Sequence, residues 1–178
     1  EKLTDKLCGL SRLRHFRGVA TIVMKLFNIT MPDIAYFGQK DAQQAVVIKK
    51  MAEDLNMNVK IKALPIVREK DGLAMSSRNV YLNQEERLAA QSIYKSLKSA
   101  KELFYRGERD SKKIINGIKR VINAEPHIKI DYVAIVDTEE LNDIKKISNS
   151  ALVAVAVWVG KTRLIDNMVL NSKQIRNS

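Results

Sequence analysis

Two short stretches combine residue types that suit an anionic ligand. "MSSR" (Met75–Arg78) sets two hydroxyls beside a guanidinium within the longer run "GLAMSSRNVYL" (Gly72–Leu82), which contains no acid. Serine hydroxyls donate in adjustable directions, and the planar arginine fork stays charged, so together they can hold a phosphate from several sides. The same four residues also suit a turn in which serine oxygens bond nearby backbone. "FGQKD" (Phe37–Asp41) joins a strand pattern to a helix pattern. Gly38 allows close approach of a ligand to the backbone. Lys40 stands beside a helix N-terminus, where unpaired N–H groups and the macrodipole attract anions. A purely local alternative has Asp41 as the helix N-cap and Gln44 as its reciprocal partner.

Other reactive side chains are fewer. His15 lies in "SRLRHFRG" (Ser11–Gly18), which reads as a solvated basic loop, and His127 follows Pro126 between a helix and a strand, as a surface residue. The single cysteine, Cys8, excludes a disulfide framework and fits a reducing cytosol. No paired His/Cys spacing suggests structural zinc, so no metal site is expected.

The elements that must position these residues follow from periodicity. "GVATIVMKLFNIT" (Gly18–Thr30) puts Val19, Ile22, Val23, Leu26 and Phe27 on one helical face. A short strand is expected over Asp33–Phe37. A helix follows from near Asp41, with Ala45, Ile48, Ala52 and Leu55 recurring at helical steps. Alternating Val59, Ile61 and Ala63 then predict a strand ended by Pro65. Helix, strand, helix, strand is the order of an α/β unit with a parallel sheet. Beyond Leu82 the pattern changes. Asn83 with Glu86 forms a capping-box signature, and the helix it opens should end at Gly107. A second helix directs Ile114, Ile115, Ile118, Val121 and Ile122 inward, and "KIDYVAIVD", "ALVAVAVWVG" and "TRLIDNMVL" read as three strands. Two helices followed by closely linked strands predict an α+β unit with an antiparallel sheet. The expected division is residues 1–81 and 82–178.

Composition bounds the function classes. The chain has 178 residues, 46% of them hydrophobic, with only 3 Pro and 7 Gly, so a packed core is expected rather than disorder. The longest apolar run, Ala151–Gly160, is far short of the roughly 20 residues needed to span a bilayer. The first residues lack the apolar centre of a signal peptide. These features predict a soluble cytoplasmic protein with no membrane partner. The net charge of +11 is spread almost evenly, with an excess of 6 in residues 1–81 and 5 in residues 82–178. An even excess favours a generally basic surface or a small anionic ligand over a nucleic-acid stripe, so no nucleic-acid partner is expected.

Taken together, "PDIAYFGQKDAQQAVVIKKMAEDL", "ALPIVREKDGLAMSSRNVYL", "DYVAIVDTEEL" and "VGKTRLIDNMVL" strongly resemble the pantothenate synthetase (pantoate–β-alanine ligase) family of adenylyl-transferring Rossmann proteins. The resemblance runs over nearly the whole chain. It implies condensation of pantoate with β-alanine, driven by ATP through a pantoyl-adenylate, by a homodimer using Mg²⁺. It implies the later part of a Rossmann-type domain followed by a small α+β domain. Gly38, Gln39, Lys40 and Asp41 match the family's ATP-contacting loop, although the family more often has Glu where this chain has Gln39. Gln44 matches the pantoate-binding glutamine, and Val67 the residue whose backbone meets the nucleotide. Met75, Ser76, Ser77 and Arg78 match the counterpart of the superfamily's "KMSKS" loop. Lys40, Ser76, Ser77 and Arg78 are thus the implied catalytic residues, and "GLAMSSRNVYL" an implied mobile phosphate loop hinged at Gly72. With no carboxylate cluster in the sequence, Mg²⁺ would be held mainly by phosphates and water.

Two departures stand out. Leu13 and Arg14 occupy positions where the family has Pro and Gly in "RPGHFRGV". The superfamily's "HxGH" signature, which belongs to an earlier segment, is not present, and "HFRG" at His15 does not replace it. The expectation is therefore a C-terminal portion of the family pattern, inactive as an isolated 178-residue chain. Two other roles are set beside this one. One is a basic nucleic-acid-binding module, which steep salt dependence would reveal. The other is a non-catalytic dimerisation domain.

Overall fold

A computed structural model describes residues 6–7 and 15–172. Cys8, Leu13 and Arg14 lie outside the described residues. The fold is α/β, with a parallel pair of strands and a separate three-stranded antiparallel sheet. Two compact units comprise Glu1–Ile66 with Glu139–Leu141, and Val67–Thr138 with Asn142–Ser178.

In the first unit, helix α1 (His15–Thr30) precedes strand β1 (Ile34–Gly38). A 3₁₀ turn (Gln39–Asp41), helix α2 (Ala42–Asp54) and strand β2 (Lys60–Leu64) follow. β1 and β2 are parallel and level, pairing Ile34 with Lys60 at one end and Gly38 with Leu64 at the other. Ala42, Ala45, Val47, Ile48 and Ala52 form the buried stripe of α2, and Phe27 meets Phe37 edge to face. Three expectations are corrected here. His15 to Gly18 open α1 rather than forming a loop. Ile22 and Leu26 are 58% and 51% exposed, so the buried positions of α1 are Phe16 and Phe27. Leu55 follows the end of α2 and is exposed. Periodicity marks an apolar face, but burial needs a neighbour to cover it.

The second unit contains helices α3 (Gln84–Tyr105) and α4 (Ser111–Asn123) and strands β3 (Ile128–Val136), β4 (Ser150–Val159) and β5 (Thr162–Asn171). The sheet order is β3-β4-β5, antiparallel throughout. α3 opens with the expected capping box: Asn83 accepts from the Glu86 amide, and Glu86 accepts from the Asn83 amide. Its end is a Schellman motif, in which Glu108 N–H reaches Leu103 O and Gly107 N–H reaches Phe104 O. Gly107 adopts φ +101, a conformation that glycine tolerates without a Cβ penalty. Ile93, Leu97, Ala100 and Phe104 of α3 and Ile114, Ile118 and Ile122 of α4 share one core with alternate residues of β4, Ala151 to Val159. Ile115 and Val121 are only partly buried.

The segment Val67–Leu82 belongs to this second compact unit. The reason is chemical. Leu73 joins the core, Arg68 bonds Asp166 of β5, and Glu69 bonds Arg87 of α3. None of these long-range pairings is visible as a composition change.

Candidate functional site

In open α/β sheets, ligands gather at the carboxyl ends of parallel strands. Gly38 ends β1 level with Leu64 at the end of β2, and the Gln39–Asp41 turn leads from that edge directly into α2. Gly38 is extended (φ −75, ψ 132), so its backbone does not demand glycine. A Cβ there would meet nothing within 4 Å. The space beside it is open, as a closely approaching ligand requires. Lys40 is half-buried in the turn, one residue from the α2 N-cap. Asp41 occupies the N-cap position, but its side chain makes no capping hydrogen bond and is exposed. The local capping alternative for Asp41 is therefore not the arrangement found. The adjacent glutamines differ. Gln43, unremarked in the sequence, is buried and donates its amide to Lys6 O at 2.6 Å. Gln44 is partly exposed on the first turn of α2. Gly38, Gln39, Lys40, Asp41 and Gln44 thus share one strand-to-helix junction.

The second cluster belongs to the other unit. Val67 to Met75 form a tight hairpin. Met75 N–H donates to Val67 O at 3.0 Å, Glu69 N–H to Leu73 O at 2.9 Å, and Arg68 bridges Ala74. Gly72 has φ +90, and a Cβ there would lie 2.6 Å from the Tyr94 ring. Its carbonyl accepts from Arg68 Nη1 at 3.1 Å. Gly72 is thus a pinned turn residue, where the sequence suggested a hinge. Ser76 caps the 3₁₀ turn Ser77–Tyr81 by accepting from Arg78 N–H at 3.3 Å, so the local serine–backbone reading is partly met. Val67, Met75, Ser77 and Arg78 are exposed.

Ion pairs anchor this hairpin, and sequence reasoning missed them all. Arg68 stacks on Tyr94, with Cζ 3.8 Å from the ring centroid. It also grips the Asp166 carboxylate with both terminal nitrogens, at 2.7 and 3.0 Å. Glu69 accepts from Asn79 and Arg87, and Arg87 also meets Asp71 at 2.8 Å. The Arg87 guanidinium first, and then the Asn79 amide, hold the Glu69 carboxyl below its usual range. Glu69 and Asp71 raise Arg87 in turn, with the Glu69 bond the larger cause. The only legible signal was the charge of "REKD" (Arg68–Asp71), which does not name partners.

The histidines belong to other elements. His15 starts α1 and packs against Phe16 at 5.2 Å. His127 is exposed, 3.5 Å from Glu85. Among the described residues, no group of three or more His, Cys, Asp or Glu gathers to hold a metal. No described helix is long and apolar enough to cross a membrane.

A level parallel strand pair whose connecting turn carries Lys40 into a helix, beside a separate antiparallel sheet, defines the class, an α/β protein. The particular family follows from comparison: the model for Pantoate-beta-alanine ligase matches residues 1–169. The chain belongs to that family. It is 57% identical over 169 residues to the pantothenate synthetase of Thermoanaerobacter sp. (strain X514), covering 95% of this chain and 60% of the relative. It is 58% identical over 170 residues to that of Pelotomaculum thermopropionicum, covering 96% and 60%. The crystal structure of pantothenate synthetase from Thermus thermophilus superposes with TM-score 0.90 at 39% identity, over 94% of this chain and 60% of that one. The pantoate-beta-alanine ligase of Francisella tularensis, complexed with beta-gamma ATP and beta-alanine, gives 0.65 at 32% identity, over 94% and 55%. The chain thus spans about 60% of the length of the curated relatives it matches.

Proposed function

We propose that this chain supplies part of a pantoate–β-alanine ligase, which makes pantothenate, AMP and pyrophosphate from pantoate, β-alanine and ATP. The observation that carries the proposal is the Gln39–Asp41 turn, set at the carboxyl end of a parallel strand pair and entering α2 with Lys40 beside its N-terminus. Membership of the Pantoate-beta-alanine ligase family supports pantoate and β-alanine as the substrates. The Francisella relative's complex with beta-gamma ATP and beta-alanine supports the nucleotide and the amine. The first unit is the later part of a Rossmann-type domain, and the second a small α+β domain.

A pantoate carboxylate oxygen attacks the α-phosphorus of ATP, and the bond to the bridging oxygen breaks, releasing pyrophosphate and leaving pantoyl-adenylate. The amine of β-alanine then attacks the acyl carbon, a proton leaves the nitrogen, and AMP departs. Gly38 to Asp41 hold the triphosphate, with the Lys40 ammonium neutralising charge that grows during adenylation. Gln44 holds pantoate. Val67 and Met75 meet the nucleotide, and Ser76, Ser77 and Arg78 stabilise departing pyrophosphate. Mg²⁺ enters with ATP as part of the substrate; among the described residues no carboxylate cluster gathers to hold a resident ion. A homodimer working in the cytoplasm completes the proposal.

The test is Lys40→Ala in the full-length polypeptide. Pyrophosphate release should slow by about 10²–10³-fold, the order expected when one preorganised charge donor is lost. A raised KM with unchanged turnover would mean uniform binding and would remove Lys40 from the catalytic set. Asp41→Ala should leave the melting temperature nearly unchanged, because the carboxylate makes no capping bond.

A further inference from the structure

We propose that Asn79, held by Glu69 and Ala74 O, with Glu69 held in turn by Arg87, is the positioning residue that sets the orientation of Ser77 and Arg78 as pyrophosphate leaves. The proposal rests on reading that turn as the phosphate-holding element.

Ser77 and Arg78 are exposed, so packing does not aim them. Their backbone lies in a five-residue 3₁₀ turn, an element with poor internal hydrogen-bond geometry. Something outside the turn must fix it. Asn79 is the one residue of Ser77–Tyr81 that is buried, at 5% exposure. Its amide donates to Glu69 Oε1 at 2.5 Å and to Ala74 O at 3.2 Å, so one group ties the turn to both strands of the hairpin. Both partners are acceptors only, which fixes which way the amide faces. Asn79 Oδ1 is buried without a hydrogen-bond partner. The side chain therefore serves as a double donor, with its acceptor sacrificed.

The tie continues outward. The second oxygen of Glu69 accepts from Arg87, in the first turn of α3, and Arg87 also meets Asp71. Asp71 in turn accepts from Leu73 N–H at 3.1 Å. A rigid helix thus reaches the phosphate turn through Arg87, Glu69 and Asn79, and no member of that relay need touch the nucleotide. The Asn79 backbone completes the frame, with its N–H on Ser76 O at 3.1 Å and its carbonyl accepting from Leu82 at 3.3 Å.

The experiment measures pyrophosphate release and ATP KM in the full-length polypeptide, with folded fraction from circular dichroism. Asn79→Ala should lower the rate per folded molecule by roughly 10²-fold, the order that a small misplacement costs, with KM within about twofold. Asn79→Asp should be at least as slow, since it sets one carboxylate against another. Adding Glu69→Gln to Asn79→Asp reverses the donor and acceptor and should recover about 10-fold of the rate. Normal turnover per folded molecule in both Asn79 single variants would overturn the proposal, as would a double variant no faster than Asn79→Asp. If Asn79→Ala does not fold, that last comparison decides alone. Ser77→Ala and Arg78→Ala run alongside. If they slow release while the Asn79 variants do not, the positioning role fails alone. If they too are fully active, the phosphate role of the turn fails with it.

Discussion

Removing either partner of the Arg68–Asp166 pair should destabilise the second unit, and unequally. Asp166 is 2% exposed and accepts both Arg68 terminal nitrogens and the Asn167 amide. In Arg68→Ala the carboxylate keeps one backbone donor in a site that water barely enters. Breaking a buried pair from one side costs about 3–5 kcal/mol. The cation–π contact with Tyr94 and the bond to Gly72 O disappear as well. The expected total is about 4 kcal/mol. In Asp166→Ala the guanidinium is 18% exposed and still stacked on Tyr94, so water relieves it and the cost falls to about 2–3 kcal/mol. The chain has one tryptophan, Trp158 on β4 of the same sheet, so urea unfolding can be followed by its fluorescence. With a slope of about 2 kcal/mol/M, Arg68→Ala should move the midpoint down by about 2 M and Asp166→Ala by about 1 M. Equal losses, or a loss under about 1 kcal/mol for Arg68→Ala, would refute the reasoning that burial asymmetry sets the cost.

Acid sensitivity gives a second check. Glu69 is held below its ordinary value of 4.5 by Arg87 and Asn79, so in that interval the unfolded chain binds more protons and stability rises with pH. Its contribution should be complete above about pH 5 and disappear as pH falls through the folded value; Glu69→Gln should flatten that part of an acid-unfolding curve. Amide exchange in the full-length polypeptide should divide the loop. Glu69, Gly72 and Met75, which donate to hairpin carbonyls, should be protected without nucleotide. Arg78, whose amide donates to Ser76 Oγ at 3.3 Å, should be weakly protected, and Ser77 should slow only when an ATP analogue is added. Uniform strong protection without nucleotide would mark a fixed structural turn throughout.

What the sequence determined by itself was local. The Asn83–Glu86 box, the glycine stop at Gly107 and the helical stripe of Ile114, Ile118 and Ile122 arise from bonds and spacings within a few residues. Their partners are therefore written next to them. The unbroken apolar run Ala151–Gly160 was legible as a strand, and β4 proves buried almost along its length; the strand-to-helix junction at Gly38–Asp41 was legible because a change of period marks it. Tertiary structure decided the rest. Exposure of Ile22 and Leu26 depends on what lies over α1, which periodicity within α1 does not encode. Asp41 has a capping residue type, yet its backbone and side chain do not make the bond. The hairpin carrying the serine–arginine turn is fixed by Arg68 meeting Asp166, 98 positions away, and by Glu69 meeting Asn79 and Arg87. Charged side chains of one sign have many possible partners of the other. Which pair forms is set only once the sheet register places Asp166 opposite Val155, on the face that joins the core with α3, where an unpaired carboxylate is too costly to leave alone.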